Sequence, residues 1–168
     1  MLNHAEILCS QYRAALEMLK QAVVRCPPEL WDDAQDRNRF WHVAYHALFY
    51  THLYLHPRGE VFQPWPLHRV DYEFLGPKPW PPHELPTIGE AYTPGEVLAF
   101  LEVCQAFAAQ QTAALDLEGP SGFSWLPFNK LELQIYNIRH LQQHTGELME
   151  RLGSRAQINV DWKAESRE

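Results

Sequence analysis

Apolar residues recur at three- and four-residue intervals in four stretches of the chain, which predicts four helices. The first runs from about Leu2 to Arg25. Leu8, Tyr12, Ala15, Leu19, Ala22 and Cys26 form one stripe on it, with Leu16 and Val23 alongside. Pro27 and Pro28 end it, because neither can donate a helical hydrogen bond. The second runs from about Asp36 to Leu55 and stops before Pro57. Its sequence FWHVAYHALFYTHLYL is apolar nearly all round, which places it deep in the domain. The third, about 94 to 117, opens on Thr93-Pro94-Gly95-Glu96, a capping box with proline at the first helical position. Val97, Leu101, Cys104, Ala108 and Leu115 make its stripe, Phe100 and Phe107 flank it, and Gly119-Pro120 closes it. The fourth runs from about Asn129 to Leu152, with Gly153 as the expected C-terminal cap. Leu133, Asn137, His140, Leu141, His144, Leu148 and Leu152 make its inner face, and a tail with Val160 and Trp162 follows.

Between the second and third helices, Pro57, Pro64, Pro66, Pro77, Pro79, Pro81, Pro82, Pro86 and Pro94 exclude a helix. Phe62, Trp65, Leu67, Tyr72, Phe74 and Trp80 make residues 57–93 too apolar for a disordered linker. An ordered strap packed across the helices, using two of the six tryptophans, is the expectation. The other links are short and favour antiparallel neighbours. A helix of about 20 residues is about 30 Å long, a distance the strap spans easily. The expected architecture is therefore an all-α, single-domain four-helix bundle over residues 1–168, running up-down-down-up. In it the second and fourth helices are antiparallel and their midpoints meet.

With 168 residues, 46% hydrophobic and 21% charged, the chain has the length and composition of one soluble domain. Its 14 basic and 21 acidic residues give a net charge of -7, which argues against nucleic acid as a partner. Cys9, Cys26 and Cys104 form no Cys-x-x-Cys pair and read as reduced thiols of a cytosolic protein. Neither a secretory signal nor a membrane-spanning run is read, so the expected location is cytoplasmic, without a membrane partner.

Nine histidines need an account. His140 and His144 stand four apart on the fourth helix, so their rings project from one face about 40° apart around the axis. That spacing lets two imidazoles chelate one ion at about 2.0–2.1 Å. Both share the apolar row of Leu133, Leu141 and Leu148, and burying an imidazole without partners costs roughly 1–3 kcal/mol. Either an ion or separate hydrogen bonds to neighbours would offset that cost. HLQQH lacks the glutamate of a zincin motif. His46, near the middle of the second helix, would meet the pair; His42, four residues earlier, would make a four-histidine site. His52 points to another side, while His56, His68 and His83 are expected in solvent. His4 is placed near the open end of the bundle, with nothing to mark it out. Glu147 and Asn137, each one turn from a histidine, are candidate acceptors for the imidazole N–H groups, or else plain helix surface and packing.

FWHVAYHALFYTHLYL, the strap and YNIRHLQQHTGEL, together with PPELWDD, YTPGEVLAFLE and NVDW, resemble the DinB/YfiT-like family of metal-binding four-helix bundles over nearly the whole chain. The resemblance implies one ligand from the second helix and two from the fourth: His46, His140 and His144. It demotes His42, which falls where relatives carry an aromatic residue. His52 falls where an acidic residue is common, and its presence speaks against a mechanism needing a carboxylate there. The implied cofactor is one divalent transition metal, zinc or nickel ahead of iron, manganese or copper. Some members of the family are metal-dependent transferases or isomerases using low-molecular-weight thiols. Thiol S-transferase-like activity is therefore one expectation, and a non-catalytic structural, sensing or stress-related metal module the other. Relatives often pair, which implies a homodimer.

Overall fold

The computed structural model describes residues 3–166; the predicted helix start at Leu2 lies outside them. The regular elements are α1 (His4–Arg25), a single turn α2 (Pro28–Trp31), α3 (Phe40–Tyr54), α4 (Pro94–Gln111) and α5 (Lys130–Ala156), with one 3-10 turn at Gly59–Val61. The fold is all-helical, with no strand among the described residues. No helix among them is long and apolar enough to cross a membrane.

Local chemistry explains most boundaries. Thr93 accepts from the Glu96 amide while the Glu96 carboxylate accepts from the Thr93 amide, so the predicted capping box opens α4. Asn3 and Glu6 form a second box, unanticipated, at the start of α1. α2 is also unanticipated. Pro28 begins it, and it exists to bury Leu30 and Trp31; the Trp31 indole N–H donates to the Tyr92 carbonyl at 2.8 Å. α3 starts at Phe40 rather than Asp36, because Asp33 and Asp36 are drawn instead to the Arg155 guanidinium. α4 stops at Gln111, short of residue 117. The chain beyond it turns so that Leu117 and Gly119 carbonyls accept the free amides of Leu131 and Lys130 in the first turn of α5. Gly153 is not the cap of α5: the helix runs on to Ala156, and Gln157 takes the left-handed conformation (φ 59°) that turns Ile158 back onto the core.

α1 and α3 each pack against both α4 and α5. α3 is buried on nearly every side, as its apolar run requires; His46 and Tyr50, one turn apart, are its partly exposed members besides the ends of the pattern. The strap is ordered. Trp65 stacks on Phe100 with centroids 4.8 Å apart, and the Tyr92 hydroxyl donates to the Leu67 carbonyl at 2.6 Å. Only Trp65 of its two tryptophans is buried, however; Trp80 is 54% exposed.

A buried polar network sets the register of α5 on α3. The Gln134 amide donates to the Tyr54 carbonyl (3.0 Å), and the Asn137 amide donates to the Thr51 carbonyl (3.2 Å) and the Tyr12 hydroxyl (2.9 Å). Tyr12 in turn donates to the Gln134 side-chain oxygen at 2.8 Å. Towards the other end Arg151 donates to the Asn38 carbonyl at 2.7 Å. Residue numbers rise along α5 as they fall along α3, so the two helices are antiparallel, and His46 meets His140 between these fastenings.

Lys130 is buried although it opens α5. Its ammonium donates to the carbonyls of His56 (3.3 Å), Pro57 (2.8 Å) and Ser121, tying the α4–α5 loop to the end of α3. Lys130→Met should cost about 3 kcal/mol, because three buried acceptors lose one charged donor. Urea unfolding of both proteins measures this, and a loss below about 1 kcal/mol would contradict the clamp.

Candidate metal centre

His46 on α3 and His140 and His144 on α5 converge. One potential ligand atom from each lies within 4.8 Å of the other two, and the ring centroids are 4.7–5.0 Å apart. The two Nε2 atoms of His46 and His140 are 3.1 Å apart. Two nitrogens each about 2.05 Å from one tetrahedral ion stand about 3.3 Å apart, so this pair is already at ligand spacing. Among the described residues the cluster takes in no fourth His, Cys, Asp or Glu.

The ring nitrogens turned away from the cluster fix the tautomers. His46 Nδ1 lies 2.6 Å from the Glu73 carbonyl, which only accepts, so Nδ1 carries the proton and Nε2 presents its lone pair. His144 Nδ1 faces the Glu147 carboxylate at 3.3 Å, with the same consequence. Glu147 is itself held by Arg151, and these two partners keep its carboxyl below the ordinary range. His140 differs: its Nδ1 is buried without a hydrogen bond, and among the described residues its hydrogen-bond contact is with the His46 ring. His140 thus has no hydrogen bond to the rest of the fold, and its Nε2, set beside that of His46, has a geometry compatible with a shared ion. Burial, reinforced by neighbouring imidazoles, pushes the His140 pKa down to about 4 and that of His46 well below its usual value. Both are neutral at pH 7, the form in which imidazole binds metal.

The remaining histidines are elsewhere. His42 is buried with Nε2 on the Tyr72 carbonyl at 2.9 Å and its ring stacked on Trp41, so it serves the strap and makes no four-histidine site. His52 faces Phe100 and Phe107 on α4, away from the cluster, so its identity neither adds nor removes a carboxylate there. Two solvent expectations fail. His56 is buried against Phe107, with Nδ1 on the His52 carbonyl, and His68 is half-buried with Nδ1 on the Tyr45 hydroxyl at 2.6 Å. His83 is exposed, as is His4. Asn137 is not an acceptor for the cluster: its side-chain oxygen takes no hydrogen bond, and its amide N–H groups donate to Tyr12 and Thr51.

Two features of the site lie outside the sequence reading. A cavity of about 950 Å³ opens beside His46 and His140. Glu73, from the strap, reaches it with a carboxylate whose Oε2 is buried, without a hydrogen bond and 4.0 Å from His68 Nε2, and burial raises that carboxyl above the usual range. No periodicity governs the strap, so nothing in the sequence could bring Glu73 here.

No protein-family model, curated protein or solved structure matches the chain. The function must be argued from this geometry.

The Glu147 contact gives a direct expectation. Glu147→Gln should weaken zinc binding about tenfold by calorimetry, since the acceptor that orients His144 loses its charge. Wild-type affinity in that variant would mean that Arg151 alone engages Glu147.

Proposed function

We propose that the chain is a DinB-like metal-dependent enzyme, with one divalent transition metal, zinc or nickel foremost, held by His46, His140 and His144. On this reading the whole chain is one domain, a four-helix bundle running up-down-down-up. The antiparallel fastenings of α3 on α5 support it, as do the contacts Tyr45–Phe100 and His52–Phe107, in which numbers rise together along α3 and α4.

One observation carries the proposal. Three imidazoles converge on one point, and two of them, His46 and His140, also line the cavity. Three protein ligands leave at least one coordination position for a reactant, the arrangement of catalytic rather than structural zinc sites. An ion bound there supplies Lewis-acid polarisation and lowers the pKa of a coordinated thiol or water.

The chain's own groups do the rest. The Glu73 carbonyl and the Glu147 carboxylate hold the rings of His46 and His144 in the ligand tautomer. The Glu73 carboxylate, 4.0 Å from His68 Nε2 at the cavity wall, is placed to exchange a proton with a bound reactant. These features support a thiol S-transferase-like reaction, in which thiolate sulfur forms a bond to an electrophilic carbon.

Elemental analysis of native protein should find about one transition-metal ion per chain, and less than a tenth of that in a His140→Ala, His144→Ala double variant that keeps its helical circular dichroism. Equal metal in both would end the metal reading. Metal-loaded protein should also accelerate thiol addition to electrophiles, and the double variant should not; equal rates would remove the enzymatic part.

A further inference from the structure

The cavity beside the histidines is unusual in what lines it. Tyr50 comes from α3, Tyr136 from α5, Phe62 and Trp80 from the strap, and Phe123 and Trp125 from the α4–α5 loop. At about 950 Å³ it lies at the upper end of the roughly 300–1,000 Å³ range of small-molecule sites. Aromatic walls from four separate segments are more than the core requires, since the main cluster closes without Trp80 and Trp125. Those two indoles are 54% and 60% exposed. Each packs on an aromatic neighbour, Trp80 against Phe74 (centroids 5.4 Å) and Trp125 against Phe123 (5.4 Å), and each lines the cavity. Apolar surface left out of the core, ordered, and gathered around one opening marks a binding site.

The charges narrow the occupant. Among the described residues, no Lys or Arg lines the cavity, and its two ionisable acids are Glu60 and Glu73. An anionic substrate body would find no cationic side chain along these walls and would enter against a net charge of -7. A cationic one would approach three imidazoles carrying a divalent ion. A neutral ring system meets neither obstacle and gains offset and edge contacts on the surrounding aromatics.

Resting on the three-histidine reading, we infer that the electrophilic substrate is a neutral, flat aromatic molecule, its rings lodged among Tyr50, Tyr136, Trp80 and Trp125 and its reacting group directed at His46 and His140. The thiol then adds across an activated C=C bond of the substrate from the metal-facing end: the S–H bond breaks and its proton passes to the Glu73 carboxylate, sulfur bonds to the electrophilic carbon, the C=C π pair moves to the neighbouring carbon, and that carbon takes the proton back from Glu73. The aromatic walls recognise the substrate body, and the histidines select the reacting group.

The test uses the full chain incubated with zinc and desalted, and three naphthalene probes that differ in charge: neutral N-phenyl-1-naphthylamine, anionic 1-anilinonaphthalene-8-sulfonate and a cationic naphthylmethyl-trimethylammonium. Fluorescence titration should show one neutral probe per chain, bound at least tenfold more tightly than either charged one. A Trp80→Ala, Trp125→Ala variant should lose at least tenfold in affinity for the neutral probe, yet take up zinc like the wild type. Unchanged neutral-probe affinity in this variant, or preference for a charged probe, would overturn the substrate inference while normal zinc uptake leaves the metal centre standing. If the wild type bound the neutral probe selectively but took up no zinc, the pocket assignment would be supported and the metal-centre reading would fall. The two readings thus fail by different measurements.

Discussion

Residues 94 positions apart can share an ion only if two helices hold one register to within a fraction of a turn. A slip of one residue along a helix moves a side chain about 1.5 Å and turns it about 100°. Here the register is set by polar groups that the core can satisfy in one alignment. Gln134 and Asn137 each reach a carbonyl near the end of α3, Tyr12 from α1 joins them, and Arg151 fastens Asn38 further along. Leaving any of these buried groups unpaired would cost roughly 1–3 kcal/mol, so sliding is penalised several times over. Apolar packing alone tolerates such displacement far better.

The strap converts the register into a site. By accepting from His46 and holding His42, the carbonyls of Glu73 and Tyr72 fix two of the three imidazoles of α3, one towards α5 and the other away from it. The same segment contributes the Glu73 carboxylate and the Trp80 indole to the cavity. A connection without repetitive structure therefore orients a candidate ligand and forms part of the cavity wall. Those tasks explain why so proline-rich a stretch is also so aromatic: its backbone geometry is restricted by proline while its rings secure it to α3 and α4.

Helical periodicity made the four long helices legible, and the capping box at Thr93 marked one boundary to the residue. The convergence of His46, His140 and His144 was legible too, because an i, i+4 pair of polar rings on an apolar row demands a shared partner. What escaped depends on contacts between distant segments. Asp33 and Asp36 belong to Arg155 instead of the start of α3, and Gly153 stays helical because Ile158 is pulled onto the core. His56 and His68 are drawn inward by aromatic neighbours that no local pattern announces. Asn137 was read as a partner for histidine because both share a face; the structure spends it on register instead.

Imidazole convergence at a single ion is the claim on which the rest stands, and X-ray absorption at the zinc edge of the reconstituted protein reads it most directly. The account predicts three imidazole scatterers at about 2.0–2.1 Å, completed by one or two light exchangeable ligands. A shell with fewer than two imidazoles, or one composed of oxygen alone, would contradict it.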